Sequence, residues 1–315
     1  MPTVSDAFSE LLRRIELNPS RVSLASTRYN AVKNVLEREL ADATIRQIGS
    51  FQRRTKTRPF DLSEQLDVDA VAVLGETRNY AAPGQGLSTS AAIEKVRRAL
   101  SSDRTYRLME PTADAPVVVL EYADAFKMEV AVGFVDLTGT YPRPNGPPCY
   151  LVAAKTGWIP ADYDYDANYI SAVNREFTNE TLVPLIKLAK RTFRSWRVPV
   201  GSFHTELLVA TIMGREIASW IAQGKRWGYQ EALSYFLANA HRALGGPVRL
   251  PGSFSPAVDS GLSTSELANI GTFLQARANE ALTICQRNDP ARAINEWRSL
   301  LGEPFPALSS FYGSP

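Results

Sequence analysis

The sequence predicts an α+β protein of two lobes, a mixed sheet with helices in front and an all-helical half behind. Three observations carry this. Apolar residues recur at helical spacing up to about Leu40, and again almost without break beyond about Asp162. Between these stretches, Val117–Tyr122 and Met128–Val135 are short runs rich in β-branched residues, the pattern of strands. The chain has 315 residues, 44% hydrophobic and 22% charged, the composition of a folded protein of about two domains. The division is expected at 1–160, N-terminal helices included, and 161–315 for the helical lobe.

Taken in order, Phe8, Leu11, Leu12 and Ile15 lie on one face of a first helix, and Tyr29, Val32, Val35 and Leu36 on a second over 26–40. Strands are expected at 43–48, ending in Gly49-Ser50, and at Val68–Leu74. A Pro/Gly-containing loop follows, then a helix over Ser88–Leu100 with Ser88 or Ser90 as its N-cap and Ile93, Val96 and Leu100 buried. After the strands at Val117–Tyr122 and Met128–Val135, Tyr141–Pro148 reads YPRPNGPP and is a loop by composition. The back half predicts helices at Asn168–Glu176, Leu182–Trp196, His204–Ala222, Tyr229–Ala243, Ser263–Gln286 and Pro290–Leu301. Between them, Gly245–Gly261 reads as an ordered loop.

Composition excludes several functions. With 35 Lys+Arg against 33 Asp+Glu, the formal charge is +2, and a protein that coats nucleic acid carries a marked basic excess. Any polyanion must therefore meet a local basic patch. Cys149, Cys285, His204 and His241 are too few for a disulfide framework or an ordinary zinc site. The N-terminus lacks the basic start and apolar run of a signal peptide, and no stretch suits a membrane span. A cytoplasmic protein without membrane partners is expected.

The most informative segment is Leu66-Asp67-Val68-Asp69-Ala70-Val71. Strand residues i and i+2 share a face, so Asp67 and Asp69 project together while Val68 packs behind them. Two carboxylates so close repel unless a cation neutralises them, and Mg²⁺ prefers such oxygens. Glu129 is a third acid, set into the later apolar strand beside Met128 and Val130. Should the two strands be neighbours, three carboxylates converge as a two-metal site needs. Alone, an Asp-x-Asp pair is better read as a solvated strand end than as a metal site, and Glu129 can be read as an edge-strand acid facing water. Upstream, Gly49 permits close backbone approach to a phosphate, and the Ser50 hydroxyl and nearby N–H groups can donate to it. Arg53, Arg54, Lys56 and Arg58 follow as the one dense basic cluster, which is otherwise a solvated turn.

Gly-Ser, a strand with Asp-x-Asp, and a third acid on a later strand resemble the active-site pattern of the DNA polymerase β-like nucleotidyltransferases. More specifically, the chain resembles a bacterial cGAS/DncV-like nucleotidyltransferase (CD-NTase), and the likeness extends through the helical half. Leu182–Lys190 is similar to the family's helix ending in a lysine that holds the donor triphosphate, a role that falls to Lys190; read alone, Lys190 is equally a solvated lysine at a helix end. Gly201-Ser202-Phe203-His204-Thr205-Glu206-Leu207 resembles the family's serine–aromatic–x–x–Glu–Leu helix start. By that match Ser202 binds phosphate and Phe203 stacks on a base; by themselves they are an N-cap and a core aromatic. The sequence places no acid beside His204, which is read as structural, and Trp158, Trp220 and Trp227 are read as core. Trp297 and Gly302–Pro306 resemble the family's closing segment. The stretch from Ser50 to Asp67 is longer than usual, with 59–65 as the insertion, which brings Asp61 and Glu64 into contention as first ligand. Asp67 and Asp69 are preferred because they bracket the apolar strand in phase. The third acid is Glu129, where the family more often has aspartate.

The resemblance implies the polymerase β-like fold and the synthesis of a cyclic di- or oligonucleotide from ATP and other nucleoside triphosphates. It also implies two Mg²⁺ ions, with Mn²⁺ as a substitute, and antiphage (CBASS) signalling with regulatory or effector proteins of a defence operon. A linear transferase acting on RNA or protein is the alternative chemistry, disfavoured by the near-neutral charge, which also disfavours activation by nucleic acid. A catalytically dead nucleotide sensor is the alternative class, disfavoured by the three acids.

Overall fold

The computed structural model describes residues 1–60, 64–76, 86–136, 149–246, 248–249 and 261–312. The predicted loop at Tyr141–Pro148, most of Gly245–Gly261, and Asp61 lie outside these residues.

Two helices open the chain, α1 (Val4–Ile15) and α2 (Pro19–Glu39). Thr3 and Asp6 form a capping box on α1, and Asn18 caps α2 ahead of Pro19 at its first position. After β1 (Thr44–Gln47) comes one helical turn, α3 (Gly49–Gln52), then β2 (Leu66–Glu76). Helix α4 (Thr89–Ser102), capped by Ser88, crosses back and is followed by α5 (Arg104–Arg107). The remaining strands are β3 (Thr112–Asp114), β4 (Val117–Tyr122), β5 (Phe126–Val135), β6 (Tyr150–Ala154) and β7 (Gly157–Ala161). The helical half contains α6 (Tyr163–Ala172), α7 (Leu182–Ser195), α8 (Ser202–Ala222), α9 (Tyr229–Ala243), α10 (Thr264–Cys285) and α11 (Pro290–Leu301).

The sheet runs β1-β2-β5-β4-β3, and β6 and β7 extend from the far part of β5. Among the described residues only β2 and β5 pair in parallel, joined by a crossover that includes α4; the other pairs are antiparallel. β4 and β6 take successive stretches of one β5 edge, at Phe126–Ala131 and Gly133–Val135. Leu66, Val68, Ala70 and Ala72 of β2, with Phe126, Met128, Val130 and Val132 of β5, bury against α2 and α4. With that face buried, the alternate residues of both strands turn outward.

The second core joins α6 to α11, and it also takes in α1 through Ala7, Phe8, Leu11 and Ile15. The division at 160 therefore needs correcting for the first helix. Phe8 meets Trp297 at 5.0 Å and Phe305 at 5.3 Å, both edge-on, and Arg14 donates to the Pro304 carbonyl. The amphipathic stripe of α1 finds its apolar partners at the other end of the chain. Trp220 is buried there too, with Trp227 beside it, while Trp158 packs edge-on against Phe134 in the sheet lobe.

The hairpin β6–β7 was not expected. Pro160 argues against a strand, yet β7 is an edge strand paired only to β6, where the missing N–H costs nothing. The helix expected from Asn168 begins five residues earlier at Tyr163 and ends in a π-helical turn at Val173–Phe177.

Candidate active site

The polar face of the sheet carries the acids. In the β2–β5 register Asp67 stands beside Lys127, and Asp69 beside Glu129. Parallel neighbours in register point to the same side, so all four side chains share one face and the three predicted acids are brought together. Their charges are answered by lysines. Lys127 Nζ donates to Glu129 Oε1 at 2.7 Å and stands 3.5 Å from Asp67 Oδ1. Lys56 Nζ approaches the other Asp67 oxygen at 3.8 Å. The Glu129 hydrogen bond, with Asp67 behind it, holds the Lys127 pKa above its ordinary value. Burial pushes the Asp69 carboxyl above the usual carboxylate range; Glu129 and Asp67 push the same way, and Lys56 opposes them.

Gly49 is fixed by this arrangement. Its φ is +71°, and a Cβ there would lie 2.2 Å from Asp69 Oδ2. Only glycine lets the turn sit on that carboxylate. The Ile48 N–H donates to the Asp69 carbonyl, tying turn and strand. Ser50 is buried within α3, and Thr55 N–H closes the loop onto the Ser50 carbonyl at 2.9 Å.

The opposite wall comes from α7 and α8. Lys190 is 5% exposed and donates to Glu206 Oε1 and to the Thr55 carbonyl, both at 3.0 Å. Burial lowers its pKa while Glu206 opposes that shift. Phe203 packs partly on the helical core, with the Arg53 guanidinium 4.5 Å from its ring centre. Ser202 is exposed and is the first helical residue; Gly201 is the N-cap, which corrects the expected capping role of the serine. Between the walls lies a cleft of about 550 Å³. Gly49, Ser50, Asp67, Asp69, Glu129, Lys190, Ser202 and Phe203 all line it, so these eight residues singled out from the sequence meet in one place.

The basic cluster divides. Arg53 turns inward to Glu206 and Lys56 to Asp67, whereas Arg54 and Arg58 are exposed. Glu64 pairs with Arg194 and accepts from the Phe60 N–H, so it does not compete with Asp67. His204 is buried, as a structural histidine is expected to be. Sequence reasoning missed Lys127, Tyr163 and Glu206. Tyr163 lines the cleft with its hydroxyl pKa raised to about 12 by burial and by Asp69 and Asp166. Glu206 stood within the quoted helix-start motif without a role, and its signal was an acid inside an apolar helix.

The donor set fits a hard divalent cation. It offers three half-buried carboxylates on one face of two adjacent strands, with the charge of Asp69 opposed by desolvation. Among the described residues, no three His, Cys, Asp or Glu side chains gather their donor atoms at metal-holding distance. Two ammonium groups stand among the acids instead.

The comparisons agree with this geometry. Residues 1–148 match the SMODS family, the Second Messenger Oligonucleotide or Dinucleotide Synthetase domain. No curated protein matches the chain in sequence. Among solved structures, CdnC of E. coli MS115-1 with ATP has a TM-score of 0.71 at 13% identity, covering 96% of this chain and 99% of that one. The CD-NTase CdnG of Bradyrhizobium diazoefficiens with GTP has 0.67 at 15%, covering 95% of each. A mutant of the Vibrio cholerae di-nucleotide cyclase DncV has 0.70 at 11%, covering 96% and 97%. At such identities the likeness establishes the fold over both lobes. Residues 1–148 thus match a SMODS domain, and over both lobes the chain has the fold of CdnC, CdnG and DncV.

Proposed function

We propose that this cleft performs metal-dependent nucleotidyl transfer between nucleoside triphosphates, closing a cyclic di- or oligonucleotide and releasing pyrophosphate. The observation that carries the reading is the convergence of an acidic strand face and a basic, aromatic helix wall on one cleft. Asp67, Asp69 and Glu129 would hold Mg²⁺, two ions in all, with Mn²⁺ as a substitute. When bound, the ions supply positive charge at the α-phosphate and the leaving pyrophosphate, and acidify the attacking ribose hydroxyl. Glu129 accepts that proton. The Gly49 backbone and the Ser50 and Ser202 hydroxyls contact phosphate oxygens, and Lys190 offers its remaining N–H to the triphosphate. Phe203 carries the base on the face of its ring.

ATP and GTP stand in the CdnC and CdnG structures, which supports nucleoside triphosphates as substrates here. The product is read as a second messenger of antiphage (CBASS) signalling. A protein partner from the same defence operon is in keeping with the CdnC:HORMA-deltaN complex. Among the described residues no helix is long and apolar enough to cross a membrane, and Cys149 and Cys285 are not joined in a disulfide.

The test is direct. Protein given Mg²⁺ and labelled mixed nucleoside triphosphates is expected to yield a phosphatase-resistant product whose mass identifies ring size and bases. Absence of product with every nucleotide mixture, under Mg²⁺ and Mn²⁺ alike, would overturn the reading.

A further inference from the structure

Behind the cleft wall lies an acid with no solvent contact. Glu206 of α8 is 0% exposed, and both its oxygens are engaged. Arg53 Nε donates to Oε2 at 2.7 Å and its Nη2 reaches Oε1 at 3.4 Å, while Lys190 Nζ donates to Oε1 at 3.0 Å. The two cations come from opposite sides of the cleft: Arg53 follows α3 of the sheet lobe, and Lys190 lies on α7 of the helical lobe. One carboxylate answers two cations, so the buried trio carries a surplus positive charge. A buried surplus charge is costly unless an anion meets it, and both cations line the cleft.

The trio also reaches the phosphate-contacting turn. Arg53 N–H donates to the Gly49 carbonyl at 3.2 Å, and Lys190 holds the carbonyl of Thr55, whose own N–H holds Ser50. On the far side, the guanidinium lies over Phe203. Resting on the nucleotide-cleft reading above, we propose that Glu206 is a positioning residue: it clamps Lys190 and Arg53 on one buried carboxylate, so that turn, lysine and aromatic face present a single preformed grip to one triphosphate. It touches no substrate atom.

A second consequence separates this from a merely structural acid. Lys190 is faced by Glu206 from α8, by Arg53 from α3 and by Lys56 from the segment after it. Burial and the two cations favour loss of its proton, and Glu206 is the group that retains it. Removing that negative charge moves deprotonation of Lys190 to lower pH.

The experiment measures binding of a non-hydrolysable ATP analogue with Mg²⁺ from pH 7 to 9, to wild type, Glu206→Gln, and Glu206→Gln with Lys190→Arg. For Glu206→Gln, Kd is expected to rise about tenfold across that range, because Lys190 loses its proton at lower pH once the opposite charge is gone. Wild type stays within about threefold, and the arginine double variant is level again because guanidinium keeps its proton. Lys56 is common to all three proteins, so the difference between profiles belongs to Glu206. A Glu206→Gln profile superimposed on wild type overturns the inference, as does a limb that survives Lys190→Arg. Wild type that binds no nucleotide at any pH overturns the nucleotide-cleft reading itself. If Glu206→Gln does not fold, Glu206→Asp, one methylene too short to reach both cations, takes its place with an expected smaller rise in the same direction.

Discussion

Replacing Gly49 by alanine separates what the turn does for the fold from what it does for the acid beneath it. The added Cβ would stand 2.2 Å from Asp69 Oδ2, 2.9 Å from its Cγ and 3.0 Å from its Cβ. Ordinary contact begins at 3.4 Å, so the carboxylate must retreat by about 1.2 Å. A misplacement of about 1 Å in a reacting constellation costs roughly 10²-fold. Holding alanine at a φ of +71° costs about 1–2 kcal/mol, a few degrees in Tm. Gly49→Ala is therefore expected to lose about 100-fold in product formation while melting only slightly below wild type. Gly224→Ala is the control: its φ is +63° with nothing within 4 Å of the added carbon, so it carries the strain without the collision. Thermal melts read by circular dichroism and initial rates with labelled nucleotides settle both. A Gly49→Ala rate within about threefold of wild type would falsify the view that glycine is there for Asp69.

Further outcomes follow from the same geometry. Asp69→Asn is expected to abolish product, yet leave Tm unchanged or higher at neutral pH. The native carboxyl has a raised pKa, so its ionisation opposes folding above the unfolded value near 3.8, and below that pH the gain vanishes. Melts from pH 3 to 7 check this, and a variant that unfolds at neutral pH contradicts it. Lys127→Met removes the ammonium between Asp67 and Glu129 and should tighten Mn²⁺ binding about tenfold, the scale of one charge at contact in a partly screened site. Electron paramagnetic resonance of free Mn²⁺ measures it, and weaker binding refutes a competing role for Lys127. Phe8→Ala should cost about 3–5 kcal/mol through the helical core, with the rate per folded molecule kept at low temperature. A melt unchanged from wild type would return α1 to the sheet lobe.

The period-2 alternation of β2 and β5 was legible because each strand packs on one side and faces a cleft on the other. Asp67, Asp69 and Glu129 therefore declared their phase locally. What alternation cannot give is register, and it is register that set Lys127 beside Asp67 and Asp69 beside Glu129. Helices α9 and α11 ended where capping and periodicity put them. The first helix was assigned to the wrong lobe because an apolar stripe states that it will be buried, never against what. Glu206 was visible as a charge in an apolar helix, but its partner Arg53 is 153 positions away and sits in a cluster that reads as a solvated face. The β6–β7 hairpin was masked by its proline and its lack of a familiar turn.

The contact of Phe8 with Trp297 and Phe305 sets a schedule as well as a packing. The sheet lobe is threaded between two parts of one helical core, so its strands can pair before that core is complete. Helix α1 has no such freedom, since part of its seat, Trp297 and Phe305, is made long after it. On a ribosome adding about 5–20 residues per second, Phe8 waits roughly 15–60 s for those two rings, while α7 and α9 reach other parts of the stripe sooner. The basic wall of the cleft, built on α7 and α8, shares that core. Closure of that shared core thus waits for Trp297 and Phe305.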